Sequence, residues 1–203
     1  MSGFDPILLD LDGTVIDSVA LIRGPHRHAV KTVLGEDWPD ERLVANVGRP
    51  LLEQMAVFAP DRADELYGVY REWNHANTAH LLEQYEGITE VLTDLRAAGR
   101  RLGIVTSKSH DAVALAWGVL PHLRELFDVV IGAEDTALHK PDPTPVREAL
   151  ARLGAGATGA CYVGDAPFDL RAGRAAGVAT IAVTWGFFAP ADLIAEGPDA
   201  VVD

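Results

Sequence analysis

The chain reads as an α/β protein: a Rossmann-like three-layer domain on a mostly parallel sheet, with a small all-helical domain inserted after the first strand. Three observations point there. The apolar run Ile7-Leu8-Leu9 has the character of a short strand buried on both faces, and Gly13 permits a sharp exit from it. From Tyr85 onward, short apolar runs alternate with amphipathic stretches closed by glycine, the pattern of parallel strands joined by crossover helices. Between residues 17 and 84 no strand pattern appears, only helical stretches punctuated by Gly35, Pro39, Gly48-Arg49-Pro50 and Ala59-Pro60.

Each element has its own local signal. Residues 7–9 form the first strand, and helices are expected over 17–34, 40–46, 50–58 and 61–83, the last capped by Asp61. A helix over 89–98 places Val91, Leu92 and Leu95 on one face and closes at Gly99. Strand 102–105 precedes a helix over 109–117 that ends at Gly118, and strand 127–131 comes next. Thr144 caps a helix with Pro145 in its first position and Gly154 past its end. Strand 160–163, a helix over 167–176 closed by Gly177, strand 178–183 and a final strand 200–202 complete the chain. The expected division is a core of residues 1–16 and 86–203, with residues 17–85 as a helical insert standing over the carboxyl edge of the sheet.

Composition narrows the classes of function. At 203 residues and 48% apolar, the chain has material for one large or two unequal domains. Its 30 acids against 17 bases leave a net charge of −13, and no basic run exceeds Arg100-Arg101, so a nucleic-acid partner is not expected. The single cysteine, Cys161, excludes an internal disulfide and fits a reducing compartment. It lies in the apolar run Ala160-Cys161-Tyr162-Val163 and reads as a core thiol. With no signal-peptide pattern and no long apolar span, a cytoplasmic protein without membrane contact is expected, as a monomer or homodimer.

The chemistry is carried by the polar groups at the strand ends. Asp10 and Asp12 come after the first strand, and Thr106-Ser107-Lys108-Ser109 after the second. Lys140-Pro141-Asp142-Pro143 precedes a later helix, and Gly164-Asp165 with Asp169 comes after the fourth strand. In a parallel sheet these termini share one edge, where ligands bind. Clustered carboxylates repel one another unless protonated or bridged by a cation. Carboxylate oxygens suit Mg²⁺, and hydroxyls with helix-start amides suit a phosphate. Lys140 supplies a compact positive charge. Together they imply phosphoryl transfer. Taken singly, each has an ordinary reading: Asp165 and Asp169 as helix-start acids, Thr106 and Ser107 as turn and cap residues, Lys140 as a solvated base. A calcium loop opening at Asp10 is disfavoured by Val15 and Leu21, which stand where that loop needs Gly and Glu.

The ordered set Asp10-Leu11-Asp12-Gly13-Thr14, Thr106, Lys140-Pro141-Asp142-Pro143 and Gly164-Asp165-Ala166-Pro167-Phe168-Asp169 resembles the haloacid dehalogenase-like superfamily, in its aspartate-nucleophile phosphatase branch. The resemblance spans essentially the whole chain, and residues 17–85 look like that superfamily's helical cap of the first type. It implies that Asp10 attacks phosphorus to form an aspartyl-phosphate, and that Asp12 acts as general acid and then base. It further implies that Asp10, Asp12 (through its carbonyl) and Asp165 hold Mg²⁺, with Asp169 close by through water. Thr106 and the Ser107 amide then hold phosphate oxygens, and Lys140 steadies Asp10. Val-Thr-Ser-Lys, His-Lys-Pro-Asp-Pro and Thr184-Trp185-Gly186 look most like phosphoglycolate phosphatases and related pyrophosphatases. The implied substrate is a small phosphorylated metabolite, phosphoglycolate first and pyrophosphate second. A sugar phosphomutase and a non-catalytic phospho-ligand sensor are the alternatives, and Asp12 argues against a dehalogenase. Departures are Leu9 where an aromatic is frequent, Glu86 where Pro is frequent, and no last helix.

In the insert, Arg23, His26, Arg27, His28 and Arg49 are the basic residues nearest the expected site-facing edges. Arg49, at the helix entrance Gly48-Arg49-Pro50, is the strongest candidate for substrate selection. His75 and His80 read as helix-face residues, and Trp73 and Trp117 as packing. Trp185 either lines the site, docks the insert or packs in the core.

Overall fold

The structure, a computed structural model, describes residues 3–203. Strand β1, Ile7–Leu9, is buried on both faces because its side chains alternate between two apolar layers. Ile7 and Leu9 join Leu102, Ile104 and Cys161 on one side, while Leu8 joins Val105, Ile131 and Tyr162 on the other. The short pair β2, Ile16–Asp17, and β3, Glu83–Gln84, belongs to a separate antiparallel ribbon. The main sheet is completed by β4, Leu102–Val105, β5, Val129–Ile131, β6, Cys161–Gly164, β7, Ala179–Val183, and β8, Ala200–Val202. Its order is β5-β4-β1-β6-β7-β8, parallel throughout. The order reverses at β1, so a doubly wound sheet opens its ligand crevice beyond the carboxyl ends of β4, β1 and β6.

Residues 19–81 add no strand to that sheet. Helix α1, Val19–Ala29, continues through one π-helical turn, Val30–Leu34, to Gly35 with φ +72°. It packs with α3, Leu51–Phe58, and α4, Ala63–Leu81, around Ala29, Val33, Met55, Leu66 and Tyr70. The short α2, Asp40–Val44, seats Leu43 against Val30 and Trp38. Pro25 sits inside α1 and removes the N–H that would bond the Leu21 carbonyl. Asn74 of α4 repairs the gap: its Nδ2 donates to that oxygen at 2.9 Å, and the side chain is buried.

Helices α5, Ile88–Ala97, α6, His110–Val119, and α7, Pro121–Arg124, cover one face of the sheet. Helices α8, Thr144–Arg152, and α9, Pro167–Ala176, cover the other, with α10, Pro190–Ala195, packed on α9. The layers are those expected from sequence, with local differences. The ribbon β2–β3 and the helices α7 and α10 are additional. Helix α6 runs through Gly118, because the break comes from Pro121, which forces Leu120 out of helical geometry. Thr144 is the first helical residue, not the cap: Asp142 Oδ1 accepts from its backbone N at 2.9 Å. Asp61 lies in a 3₁₀ turn, Pro60–Arg62, and α4 has no side-chain cap. Val91 is 55% exposed while Leu92 is buried, so the apolar face of α5 is narrower than its spacing implied. Cys161 is buried as expected, which pushes its thiol up to about 12.

Candidate active site

Registry brings the acids together. Leu9 pairs with Ile104 on one side and Val163 on the other, so Asp10 emerges between the ends of β4 and β6. Its backbone N donates to the Val163 carbonyl at 2.9 Å, the last rung before the chain turns away. Val15 and Ile16 then both donate to the Leu11 carbonyl, and Gly13 takes φ +78°, closing a tight loop that returns Thr14 toward β6. An added Cβ at Gly13 would stand 2.3 Å from Asp165 Oδ2, and one at Gly186 2.1 Å from it. Only bare backbone fits on either side of that carboxylate.

Asp10, Asp165 and Asp169 each present a carboxylate oxygen within 4.8 Å of the other two, and all three are buried. Lys140, also buried, lies between two of them: Nζ donates to Asp10 Oδ1 at 2.9 Å and to Asp169 Oδ1 at 2.6 Å. Tyr162 caps the group, donating to the Val105 carbonyl at 2.8 Å and standing 3.2 Å from Lys140 Nζ. Asp165 accepts at Oδ2 from Phe187 N at 2.7 Å and at Oδ1 from Thr14 Oγ1 at 3.4 Å. Asp12 turns outward and is bridged by Lys108, whose Nζ lies 2.7 Å and 2.9 Å from its two oxygens.

These neighbours set the protonation of the group. Burial pushes the Asp10 carboxyl up to about 7, against the pull of Lys140 and with help from Asp169. Burial likewise raises Asp165 well above the ordinary carboxyl range, reinforced by Asp169 and Asp10. Burial works against the charge on Lys140, but Asp10 and Asp169 outweigh it and hold the ammonium well above its usual value. Four carboxyl groups, Asp10, Asp12, Asp165 and Asp169, cluster with two ammonium groups, Lys108 and Lys140. Fully ionised, the set carries two negative charges in excess, a conflict that one hard divalent cation on its oxygen donors would relieve in place of protons.

A cavity of about 260 Å³ opens above these groups, between the sheet edge and the helical insert. Asp10, Asp12, Thr106, Ser107, Lys140 and Asp165 line its floor, and Arg49 lines its roof. Thr106 follows β4, held by its N–H to the Ile131 carbonyl at 2.9 Å, and its Oγ1 accepts from Lys108 N. Ser109 caps α6, accepting from Ala112 N at 3.3 Å, so the amides that start this helix lie beside the cavity. Ser107 Oγ donates to the Gly48 carbonyl, a direct link from floor to roof. The Arg49 guanidinium lies 5.4 Å from the Phe168 ring, and its Nε is buried without a hydrogen-bond partner.

Asp10, Asp12, Thr106, Ser107, Lys140, Asp165 and Arg49 thus converge on the cavity, with Asp169 close by, while some bases of the insert lie elsewhere. Asp169 lies behind Lys140 rather than on the cavity wall: Oδ1 accepts from Lys140 and stands 3.1 Å from the Tyr162 hydroxyl, and Oδ2 accepts from Ala166 N. Lys108 and Tyr162 are additions that the strand-end pattern does not assign. A tyrosine inside a buried strand is the available signal for the second, since its hydroxyl needs a partner; nothing local marks Lys108 as the partner of Asp12. His26, grouped with the site-facing bases, is instead sealed inside the insert, whereas His75 does line the cavity. Arg27 is exposed and paired with Asp40. Trp185 docks at the base of the insert, donating from Nε1 to the Thr14 carbonyl at 3.2 Å and lying against Tyr85.

Residues 7–183 match the family model of the haloacid dehalogenase-like hydrolases. The chain is 36% identical over 197 residues to pyrophosphatase PpaX of Bacillus velezensis, covering 97% of this chain and 91% of that one. Among solved structures it resembles a haloacid dehalogenase-like family hydrolase from Streptococcus pneumoniae, with TM-score 0.83, 28% identity and 99% and 94% of the two chains covered. It also resembles a CbbY mutant from Rhodobacter sphaeroides in complex with xylulose-(1,5)bisphosphate, with TM-score 0.83, 26% identity and 98% and 94% covered.

Proposed function

This chain belongs to the haloacid dehalogenase-like hydrolases, and on that premise we propose that it is a Mg²⁺-dependent phosphatase that hydrolyses a small, phosphoglycolate-like phosphomonoester through an aspartyl-phosphate. The observation that carries the reading is Asp10: a buried carboxylate at the floor of the cavity, tethered by Lys140 and within 4.8 Å of two further acids. A carboxylate oxygen of Asp10 attacks phosphorus while the bond to the leaving oxygen breaks, and Asp12 gives that oxygen its proton. Asp12 then takes a proton from water, whose oxygen attacks the aspartyl-phosphate, releasing phosphate and restoring Asp10. For Asp12 to act as an acid it must part from Lys108, so in the reacting complex the ammonium turns to the substrate anion.

Thr106, the Ser107 amide and Lys140 are the groups assigned to the phosphoryl oxygens. Asp10, Asp165 and the Asp12 carbonyl are assigned to Mg²⁺, which would neutralise charge on the transferring group. Asp169 holds Lys140. Residues 17–85 serve as the cap, hinged at the β2–β3 ribbon, and Arg49 reads the part of the substrate that is not transferred. We place the enzyme in the cytoplasm, as a monomer or homodimer without nucleic-acid partners. No helix among the described residues is long and apolar enough to cross a membrane.

A second reading, inorganic pyrophosphate as substrate, is favoured by the name of the Bacillus relative. Both substrates pair a phosphoryl group with a second anion. The deciding experiment is release of phosphate by the purified chain with Mg²⁺ from phosphoglycolate, pyrophosphate, sugar phosphates and nucleotides. Turnover is expected on the first or second and is abolished in Asp10→Asn; full activity of that variant would overturn the nucleophile assignment. An isomer formed from a hexose 1-phosphate with little free phosphate would favour a mutase.

A further inference from the structure

We infer that Gln54, braced by His26, is a positioning residue for Arg49 and thereby sets how well the cap reads the substrate's second anion. The inference rests on the phosphatase reading and on Arg49 as its selecting residue. Arg49 stands in the loop between α2 and α3, where no regular element holds it. Its N–H donates to the Asn46 carbonyl at 3.2 Å within the loop, and one side-chain bond ties its carbonyl to the insert: Gln54 Nε2 donates to it at 2.8 Å. With its amide committed there, Gln54 presents Oε1 to the interior, 3.1 Å from His26 Nε2. His26 Nδ1 lies 2.7 Å from the Ile22 carbonyl, one turn back on α1.

The imidazole cannot drift. It is fully buried, with Phe58 and Tyr70 edge-on at ring-centroid distances of 5.6 Å and 4.8 Å. Gln54 is itself 6% exposed. A neutral imidazole carries one N–H while both its neighbours, the Ile22 carbonyl and Gln54 Oε1, are acceptors, so the ring donates to one of them and braces Gln54 chiefly by packing against it. The chain His26–Gln54–Arg49 therefore runs from the insert's core to the cavity roof without using any group assigned to the chemistry. Its far end is the contact between cap and core: Gly48, one residue before Arg49, accepts from Ser107, and the Arg49 guanidinium lies over Phe168. Backbone bonds from Val47 N to the Val44 carbonyl and from Arg49 N to the Asn46 carbonyl shape the loop, and the Gln54 bond is the side-chain tie that joins the Arg49 carbonyl to the insert's interior.

The test uses the full chain with Mg²⁺ and three substrates: phosphoglycolate and pyrophosphate, which carry a second anion, and p-nitrophenyl phosphate, which does not. Gln54→Met keeps the volume and removes both bonds. It is expected to raise KM for the first two about tenfold with kcat within about twofold, and to leave p-nitrophenyl phosphate turnover within about twofold. His26→Phe should shift the same constants in the same direction by less. In an Arg49→Met background Gln54→Met should add nothing, because the residue it positions is gone. Additive losses, or an equal loss on p-nitrophenyl phosphate, overturn the proposal. If Gln54→Met fails to fold, Gln54→Glu, which keeps the acceptor for His26 and loses the donor to Arg49, is read the same way. A wild-type chain that turns over none of the three overturns the phosphatase reading instead; the positioning role is then read from calorimetric binding of pyrophosphate, which Gln54→Met must weaken about tenfold to support it.

Discussion

Replacing Lys140 by methionine is the most direct probe of the buried charge cluster. Methionine retains most of the stem volume and removes the ammonium that bridges Asp10 Oδ1 and Asp169 Oδ1. Both carboxylates are almost without solvent, at 6% and 0% exposure, so water cannot replace the lost partner. Breaking a buried pair from one side costs about 3–5 kcal/mol, since a charge is left uncompensated. Asp10 moderates that cost: burial has already pushed it up to about 7, so near neutrality it takes up a proton rather than stay charged. The low end, about 3 kcal/mol, is therefore expected at pH 7. The same shift fixes the sign of the pH dependence. A group whose folded pKa lies above its unfolded value gives stability that is lost as pH rises through the folded pKa, and removing Lys140 moves that pKa higher still. The gap between wild type and variant should widen from about pH 7 to about pH 9 and narrow at about pH 6. Urea unfolding at each pH, read from midpoints at unchanged m-value, measures it. A loss below about 1 kcal/mol with no pH trend would refute the idea that Lys140 is the counter-charge of this cluster.

Three other perturbations probe the metal site and the insert. Because the net negative site is built in the folded chain alone, Mg²⁺ at about a hundred times its dissociation constant should add about 2.7 kcal/mol. That raises Tm by about 5–10 °C in calorimetry, reversed by excess chelator, and an unmoved Tm would remove the metal assignment. Burial lowers the His26 pKa from 6.5 to about 4. The unfolded chain therefore takes up this proton first, and about 3 kcal/mol of stability present above pH 6.5 should drain away as pH falls toward about 4. In His26→Phe that component of the acid-unfolding profile should be missing; an unchanged profile would show that the imidazole is solvated. Asn74→Leu leaves the Leu21 carbonyl without the donor that replaces the missing N–H of Pro25, and urea unfolding should register a loss of about 1–3 kcal/mol.

Much of the fold is legible in the sequence because its signals are local. Buried strands announce themselves as short apolar runs, glycines such as Gly99, Gly154 and Gly177 close helices with positive φ, and each of the six strands of the main sheet has such a run. The features that escape a sequence reading have a common cause. The ribbon β2–β3 has two residues per strand and pairs Ile16 with Gln84 across the whole insert, so no window of sequence contains both partners. His26 resembles a surface base because the helix pattern around Pro25 does not reveal which face the insert buries. Lys108 comes after Ser107 in a polar stretch that reads as an ordinary helix start.

The sequence by itself determined the chemistry: which acids, hydroxyls and lysines stand at strand ends, and in what order. Strand ends in a parallel sheet share one edge, so order alone implies convergence. The tertiary structure decided how those charges are balanced and what stands over them. It set Lys140 between Asp10 and Asp169, paired Lys108 with Asp12, and hung Arg49 from Gln54 above the cavity. Such pairings join residues up to 130 positions apart. Their existence depends on packing distances of a few ångströms, which no local pattern of residues encodes.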